Sequence, residues 1–329
     1  MAVGIKDVAE MAGVSTATVS HVINKTRFVS AEVTNKVEKA MEDLSYIPNL
    51  MAKNLKVNKS NVIGLIVPDI SNFFFTEIAS AIENTLQKKG YNLVLCNTNE
   101  NLKLEKEQIA FIQSYKSCGI IIAPTTKDFN YTNLFQEKDF PVVFFDRRLD
   151  VPQGDSVTVD TFTLTKQAVL HLISQGHERI AFIGGHNGLS TTEDRLAGYK
   201  AALEEGNIEY DPSLVEVGDA KFEAAYDICS RVIANQNVSA VFVASSLMSI
   251  GVMKYLVNNN YSIPGQIAVI GFDDYIWNEI TYPPMTTIKQ PTIEMGETVA
   301  NLIVERIENR KLAPRNVILD GEIVFRQSC

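Results

Sequence analysis

The sequence predicts a small all-α helix-turn-helix head joined to an α/β body of two doubly wound parallel-sheet lobes. Three observations carry this. The first 46 residues hold three short amphipathic segments, the first two separated by a glycine turn. From residue 61 unbroken apolar runs of strand length alternate with amphipathic stretches, the pattern of a parallel sheet covered on both faces. The alternation then restarts after about residue 160, which doubles the unit. A chain of 329 residues is long enough to bury cores of this size.

In the head, IKDVAEMA places Ile5, Val8, Ala9 and Ala12 on one helical face. Gly13 permits a tight turn, and Ser15 is suited to cap the next helix. There Val19, Val22 and Ile23 turn inward, leaving Thr16, Ala17, Ser20, His21 and Asn24 outward. Ser30 caps a third helix over 31–44, whose inner face is Val33, Val37, Ala40, Met41 and Leu44. So small a unit is expected to form a helix-turn-helix with one supporting helix. In YIPNLMAKNLKVNKSN, residues 46–61, Pro48 ends that helix and Asn49 can cap a short hinge helix, marginal by itself in water.

The body reads NVIGLIVPD, a helix near 73–89, YNLVLCNT, a helix near 103–116, GIIIAPT, a helix near 130–138, and PVVFFD. The second round runs through helices near 163–175, 192–206, 221–235 and 247–260, interleaved with RIAFIGG, LVEVGD, AVFVAS and IAVIGFDD. A helix near 292–310 and VILDGEIVFRQ follow. The expected division is a head over 1–46, a hinge over 47–60 and a body over 61–329. Within the body, one lobe takes about 61–160 plus 290–318 and the other about 161–289 plus 319–329.

The net charge of −9 is unevenly spread. Residues 1–60 carry eight Lys or Arg against six acids, a net of +2, which leaves −11 for the rest. A mildly basic head on an acidic body suits one polyanion-binding end. Cys96, Cys118, Cys229 and Cys329 lie far apart and suggest reduced structural thiols rather than a disulfide framework. No basic-then-apolar leader opens the sequence and no window holds about 18 consecutive apolar residues, so a soluble cytoplasmic protein without membrane partner is expected. There is no G-x-G-x-x-G after a strand, no Walker loop and no G-x-S-x-G, and HERIA lacks the second histidine of a zinc helix, which argues against an enzyme. No cofactor or metal is expected.

The stretch IKDVAEMAGVSTATVSHVIN resembles the head of the lac repressor/gal repressor family of bacterial transcription regulators. VSAEVTNKVEKAMEDLSYIPNLMAKNLK is similar to that family's third helix and hinge. IGLIVPDISNFFFTEIASAIE, SQGHERIAFIGG, DRLAGYKAAL and GFDDYIW…YPPMTTIKQP resemble its body blocks in the expected order. The resemblance implies operator recognition by Ser15, Thr16, Ala17, Thr18, His21 and Asn24. It also implies a minor-groove wedge at Leu55 and Lys56, and a homodimer on palindromic DNA. Where the family commonly has a base-gripping arginine, His21 offers a single donor or acceptor at that edge.

The body also resembles sugar-binding periplasmic proteins, which implies a small sugar-like effector in a cleft between lobes. Phe74 and Phe75 would stack on a ring, Asp146, Arg195 and Asp273 would bind hydroxyls, and Trp277 would line the cleft or pack beneath it. Three departures bear on the effector. Leu189 stands where purine-responsive members carry a gripping arginine, which argues against a purine. Ser245 and Ser246 replace the usual Asn-Asp. The run Thr161 to Thr165 replaces the usual Asn and Gly after VTVD, and alters the cleft on that side. PDISNFFFTE has some likeness to the catabolite-control branch, which leaves a phosphocarrier protein as an alternative corepressor. A sugar-transport binding protein would have no use for the head.

Overall fold

The computed structural model describes residues 3–24, 27–46, 60–135, 139–235 and 237–329. It divides into two compact units, Met1–Ser60 and Asn61–Cys329.

The first unit has three helices, α1 (Ile5–Ala12), α2 (Thr16–Asn24) and α3 (Ala31–Asp43). The Asp7 carboxylate accepts from the Gly4 N–H at 2.7 Å and closes the start of α1. At the far end Gly13, with φ +64°, adopts the left-handed conformation that lets the chain reverse at once. Ser15 then accepts from the Thr18 N–H at 3.1 Å and starts α2. Val8, Ala9, Val19, Val37 and Ala40 form the small core. The hinge expected over 47–60 lies outside the described residues, except for Ser60.

In the second unit the first lobe holds β1 (Val62–Val67), α4 (Phe73–Lys88), β2 (Asn92–Asn97), α5 (Leu102–Ser114), β3 (Gly119–Ile122), β4 (Val142–Phe145) and β5 (Asp155–Val159). The chain crosses into α6 (Thr161–Ser174), β6 (Ile180–Gly184), α7 (Ser190–Glu205), β7 (Val215–Val217), α8 (Phe222–Asn235), β8 (Ala240–Val243), α9 (Ser246–Asn258), β9 (Ala268–Phe272), α10 (Ile276–Ile280) and β10 (Thr286–Lys289). It returns for α11 (Thr292–Glu308), which packs on α4, and for β11 (Asn316–Leu319), then crosses a third time into β12 (Glu322–Val324).

The two sheets have matching order, β11-β5-β4-β3-β1-β2 and β12-β10-β9-β8-β6-β7, parallel throughout except for the β10–β12 pair. β1, β3, β4, β6, β8 and β9 are almost wholly buried, which is why they read as unbroken apolar runs rather than alternating ones.

Two local expectations fail for identifiable reasons. The helix expected near 130–138 is a single 3-10 turn, Tyr131–Leu134. Gln153 Oε1 accepts from the Tyr131 and Thr132 N–H groups, and the buried Tyr131 hydroxyl donates to Glu105 at 2.7 Å. Residues 136–138 lie outside the described residues. Thr161 to Thr165, expected to alter the cleft, form the first turns of α6 and are not among the cleft-lining residues; the Phe162 carbonyl and Thr165 face α7. At their closest point α7 presents Gly198, where a Cβ would stand 2.4 Å from the Phe162 carbonyl oxygen.

Candidate functional site

Two surfaces collect the residues singled out in the sequence. On the head, Ser15, Thr16 and Ala17 are exposed at the start of α2, and Thr18, Ser20, His21 and Asn24 are half-buried. The Thr18 and Ser15 hydroxyls lie 2.9 Å apart. Asn24 departs from the outward orientation: its Nδ2 donates back to the Ser20 carbonyl at 2.8 Å, and its Oδ1 is buried. The face is therefore small side chains with one imidazole among them. Leu55 and Lys56 lie outside the described residues.

On the body a cleft of about 670 Å³ opens where the C-terminal ends of both sheets converge. Its lining includes Phe74, Phe75, Asp146, Arg195 and Asp273, which are 199 residues apart in sequence at the extremes. Asp146 directly follows β4 and Asp273 directly follows β9, strands in equivalent positions in the two sheets. Both aspartates have φ +66°, a left-handed conformation unusual for a side-chain-bearing residue and concentrated at functional sites. Each lobe thus turns one carboxylate into the cleft by the same backbone device.

Arg195, on α7, is only 9% exposed. One end of its guanidinium donates to the Ala244 carbonyl at 2.6 Å, and the plane lies 3.7 Å from the centre of the Phe272 ring. Its Nε is buried without a hydrogen-bond partner. Burial lowers its affinity for a proton, opposed by the attraction of Asp273 and Asp146. Burial pushes the Asp146 carboxyl up to about 6, against the pull of Arg147 and Arg195. Burial likewise raises Asp273, opposed by Arg195 and by hydrogen bonds from Gln290 and Ser246. The Gln290 amide sits 2.6 Å from Asp273 Oδ1. An arginine and two acceptors held this way, with donor capacity unspent, can grip a molecule bearing adjacent hydroxyls.

Phe74 and Phe75 line the cleft while remaining 4% exposed each, so they serve core and cleft together. Trp277 is not among the cleft-lining residues: its ring packs against Tyr275 at 4.4 Å and Phe73 at 4.7 Å. Leu189 caps α7 and lines the cleft with an apolar surface. Ser245 lines it as well, and the Ser246 hydroxyl donates to Asn72 Oδ1 of the first lobe at 3.3 Å.

Sequence reasoning missed several lining residues. Arg147 is clamped by Glu100, with Nη1 and Nη2 at 2.8 and 2.6 Å from its two carboxylate oxygens, and also donates to the Pro124 carbonyl. Burial disfavours its charge, but the Glu100 bonds outweigh that and raise its pKa. Asn97, Asn99, His186, Asp219 and Lys221 line the cleft too. The available signal was positional, since Asn97 ends β2 and the others sit in the loops that follow strands.

Comparison with known proteins agrees with the fold. Residues 4–49 match the family described as bacterial regulatory proteins, lacI family, and residues 169–329 match the periplasmic binding protein-like domain. An HTH-type transcriptional repressor PurR of Photobacterium profundum is 33% identical over 326 residues, 98% of each chain. A solved complex of the transcriptional regulator CelR with cellobiose is 29% identical, covers 99% of this chain and 100% of its own, and superposes with TM-score 0.76. The lac repressor dimer bound to operator and the anti-inducer ONPF is 26% identical, covers 100% and 99%, and has TM-score 0.86.

Proposed function

Since the chain belongs to the lacI family of bacterial regulatory proteins, and so is a DNA-binding transcription regulator, we propose that it represses carbohydrate-utilisation genes under control of a sugar-like effector held in the cleft. The head reads a palindromic operator as a homodimer. Thr16, Ala17 and His21 contact base edges in the major groove, and Ser15 and Thr18 lie nearer the phosphates. Asn24 steadies the helix rather than the contact. Leu55 and Lys56 of each subunit wedge the central minor groove.

The observation that carries the sugar reading is Arg195, buried beside Asp146 and Asp273 with its Nε unpartnered. Vicinal hydroxyls accept from the guanidinium and donate to the carboxylates. The faces of Phe74 and Phe75 suit the apolar side of a ring. The apolar Leu189 at the rim offers nothing to the polar edge of a purine base. Effector binding favours one arrangement of the lobes, and the head's fit to DNA follows from it.

A thermal-shift screen of the whole protein against neutral sugars, sugar phosphates and purine bases checks this reading. A sugar that raises the melting temperature of the parent, and not of Arg195→Ala, supports it. Stabilisation by a purine base alone, or by a phosphocarrier protein alone, rejects it.

A further inference from the structure

We propose that Arg147 is a positioning residue of the cleft: anchored by Glu100, it holds the neighbouring Asp146 side chain as an ionised acceptor. The inference rests on the reading of Asp146 as an effector contact and adds the residue through which that contact is maintained.

The two lobes support their equivalent aspartates differently. Asp273, past β9, accepts from the Gln290 amide at 2.6 Å, a neutral donor. Asp146, past β4, has a single ion-pair partner among the described residues, Arg147, whose Nε stands 3.4 Å from Oδ2. That Nε is buried and makes no hydrogen bond, so it faces Asp146 as a charge rather than as an aligned donor.

The guanidinium is itself immobilised. Three of its five N–H bonds are taken, two by the Glu100 carboxylate oxygens and one by the Pro124 carbonyl at 3.0 Å. Glu100 lies just past β2 with φ +57°, after Asn99 at φ +49°, and its own N–H donates to the Pro68 carbonyl at 3.1 Å. Pro124 follows β3. One buried arginine thus ties the loops after β2 and β3 to the residue after β4.

The charges around Asp146 make this neighbour decisive. Burial raises the carboxyl to about 6. Arg147 is the foremost opposing influence and Arg195 the second, while Asp273 and Glu100 push it further up. Asp69, His186, Asp219 and Lys221 also line the cleft. Arg195 is bonded to the Ala244 carbonyl of the second lobe, so its reach to Asp146 depends on how the lobes stand. Arg147 adjoins Asp146 in the first lobe in either arrangement. Glu100 acts in two senses, anchoring the arginine and repelling the carboxylate.

Carbon-13 NMR titration of the full-length protein, labelled at aspartate carboxyls and without ligand, tests this. The Asp146 signal is the one that Asp146→Asn removes. In the parent it should titrate at about 6. Arg147→Gln should raise the midpoint by about one pH unit. Glu100→Gln keeps an acceptor for Arg147 but loses the repelling charge, and should lower the midpoint by about half a unit. If Arg147→Gln does not fold because Glu100 is left buried and unpaired, the double variant with Glu100→Gln strands neither charge. It should show the same rise against Glu100→Gln alone. Unchanged midpoints, or shifts of the same sign in both single variants, would reduce Arg147 to a structural strut and overturn the proposal. Because no ligand enters the titration, its result is distinct from the outcome of the sugar screen.

Discussion

Arg148 of the first lobe holds Asp194 of the second through a two-pronged contact, with Nη2 2.9 Å from Oδ1. Next to it Lys127 reaches Glu193 at 2.6 Å, and the Arg148 N–H donates to the Ser190 hydroxyl at 2.8 Å. All three acceptors stand in the first turns of α7, the helix that carries Arg195. The lobes are therefore clasped at the helix that also presents the guanidinium to the cleft.

Arg148 is 53% exposed and Glu193 47%, so each pair contributes about 1 kcal/mol or less. That is enough to bias closure and too little to govern folding. Glu193→Gln combined with Asp194→Asn should weaken effector binding by roughly fivefold, mostly through faster release, with little change in melting temperature. Stopped-flow release at low and high salt checks it. The parent should become faster in high salt, and the double variant should scarcely respond.

Asp146 makes effector affinity depend on pH. Its carboxyl titrates at about 6, raised by burial. Above that value it is an anion that accepts from hydroxyls and attracts Arg195; below, it is protonated, a weaker acceptor that no longer attracts Arg195. Affinity should fall as pH drops from 7.5 to 5, while Asp146→Asn should bind weakly with a flat profile. The same raised pKa acts oppositely on the stability of the free protein, where Asp146 costs stability as pH rises from the unfolded value near 4 to about 6. Equal parent affinity at both pH values would remove Asp146 from the site.

Asp155 predicts the reverse dependence of stability. It is fully buried and accepts from Arg306 Nε at 2.9 Å and Nη2 at 2.7 Å, and from the Arg315 backbone N–H at 2.8 Å. It thereby ties the start of β5 to α11 and to the approach to β11. Burial would raise its pKa, but the arginine bonds dominate and lower it. Its stabilisation is thus complete above the unfolded pKa near 3.9 and is lost as pH falls through the lower folded value. Asp155→Ala leaves the buried Arg306 guanidinium without its carboxylate and should cost about 3 kcal/mol in urea unfolding at pH 7.

How legible these features were follows from their range. Ile120, Ile121 and Ile122 on β3 are fully buried, and a run of that kind announces a two-sided sheet. Arg195 and Asp273 stood out through the blocks around them. The Arg147–Glu100 clamp joins residues 47 apart, and no local pattern encodes such a pairing. Among Phe73, Phe74 and Phe75 only helix rotation decides that the first meets Tyr275 and Trp277 while the other two turn inward. Tyr131 shows a local propensity overruled by one buried hydroxyl bond.

His21 is the most individual residue of the head's small-residue face. His21→Arg should shift preference at one symmetric pair of operator positions, since a guanidinium can grip guanine with two bonds where imidazole makes one. His21→Ala should weaken specific binding without altering the spacing of half-sites. Sequencing of oligonucleotides selected by each variant reads both effects. Identical selected sets for parent and variants would make the imidazole mere surface.

The coupling of cleft to DNA is tested most directly by fluorescence anisotropy of a selected palindrome bound to the full-length protein, titrated with the sugar that gives the largest thermal shift. The parent's operator affinity should change by roughly 5- to 150-fold as the cleft fills, and Arg195→Ala should hold its affinity constant across the same titration. An operator affinity in the parent that ignores a sugar demonstrably bound in the cleft would contradict a regulator switched from that site.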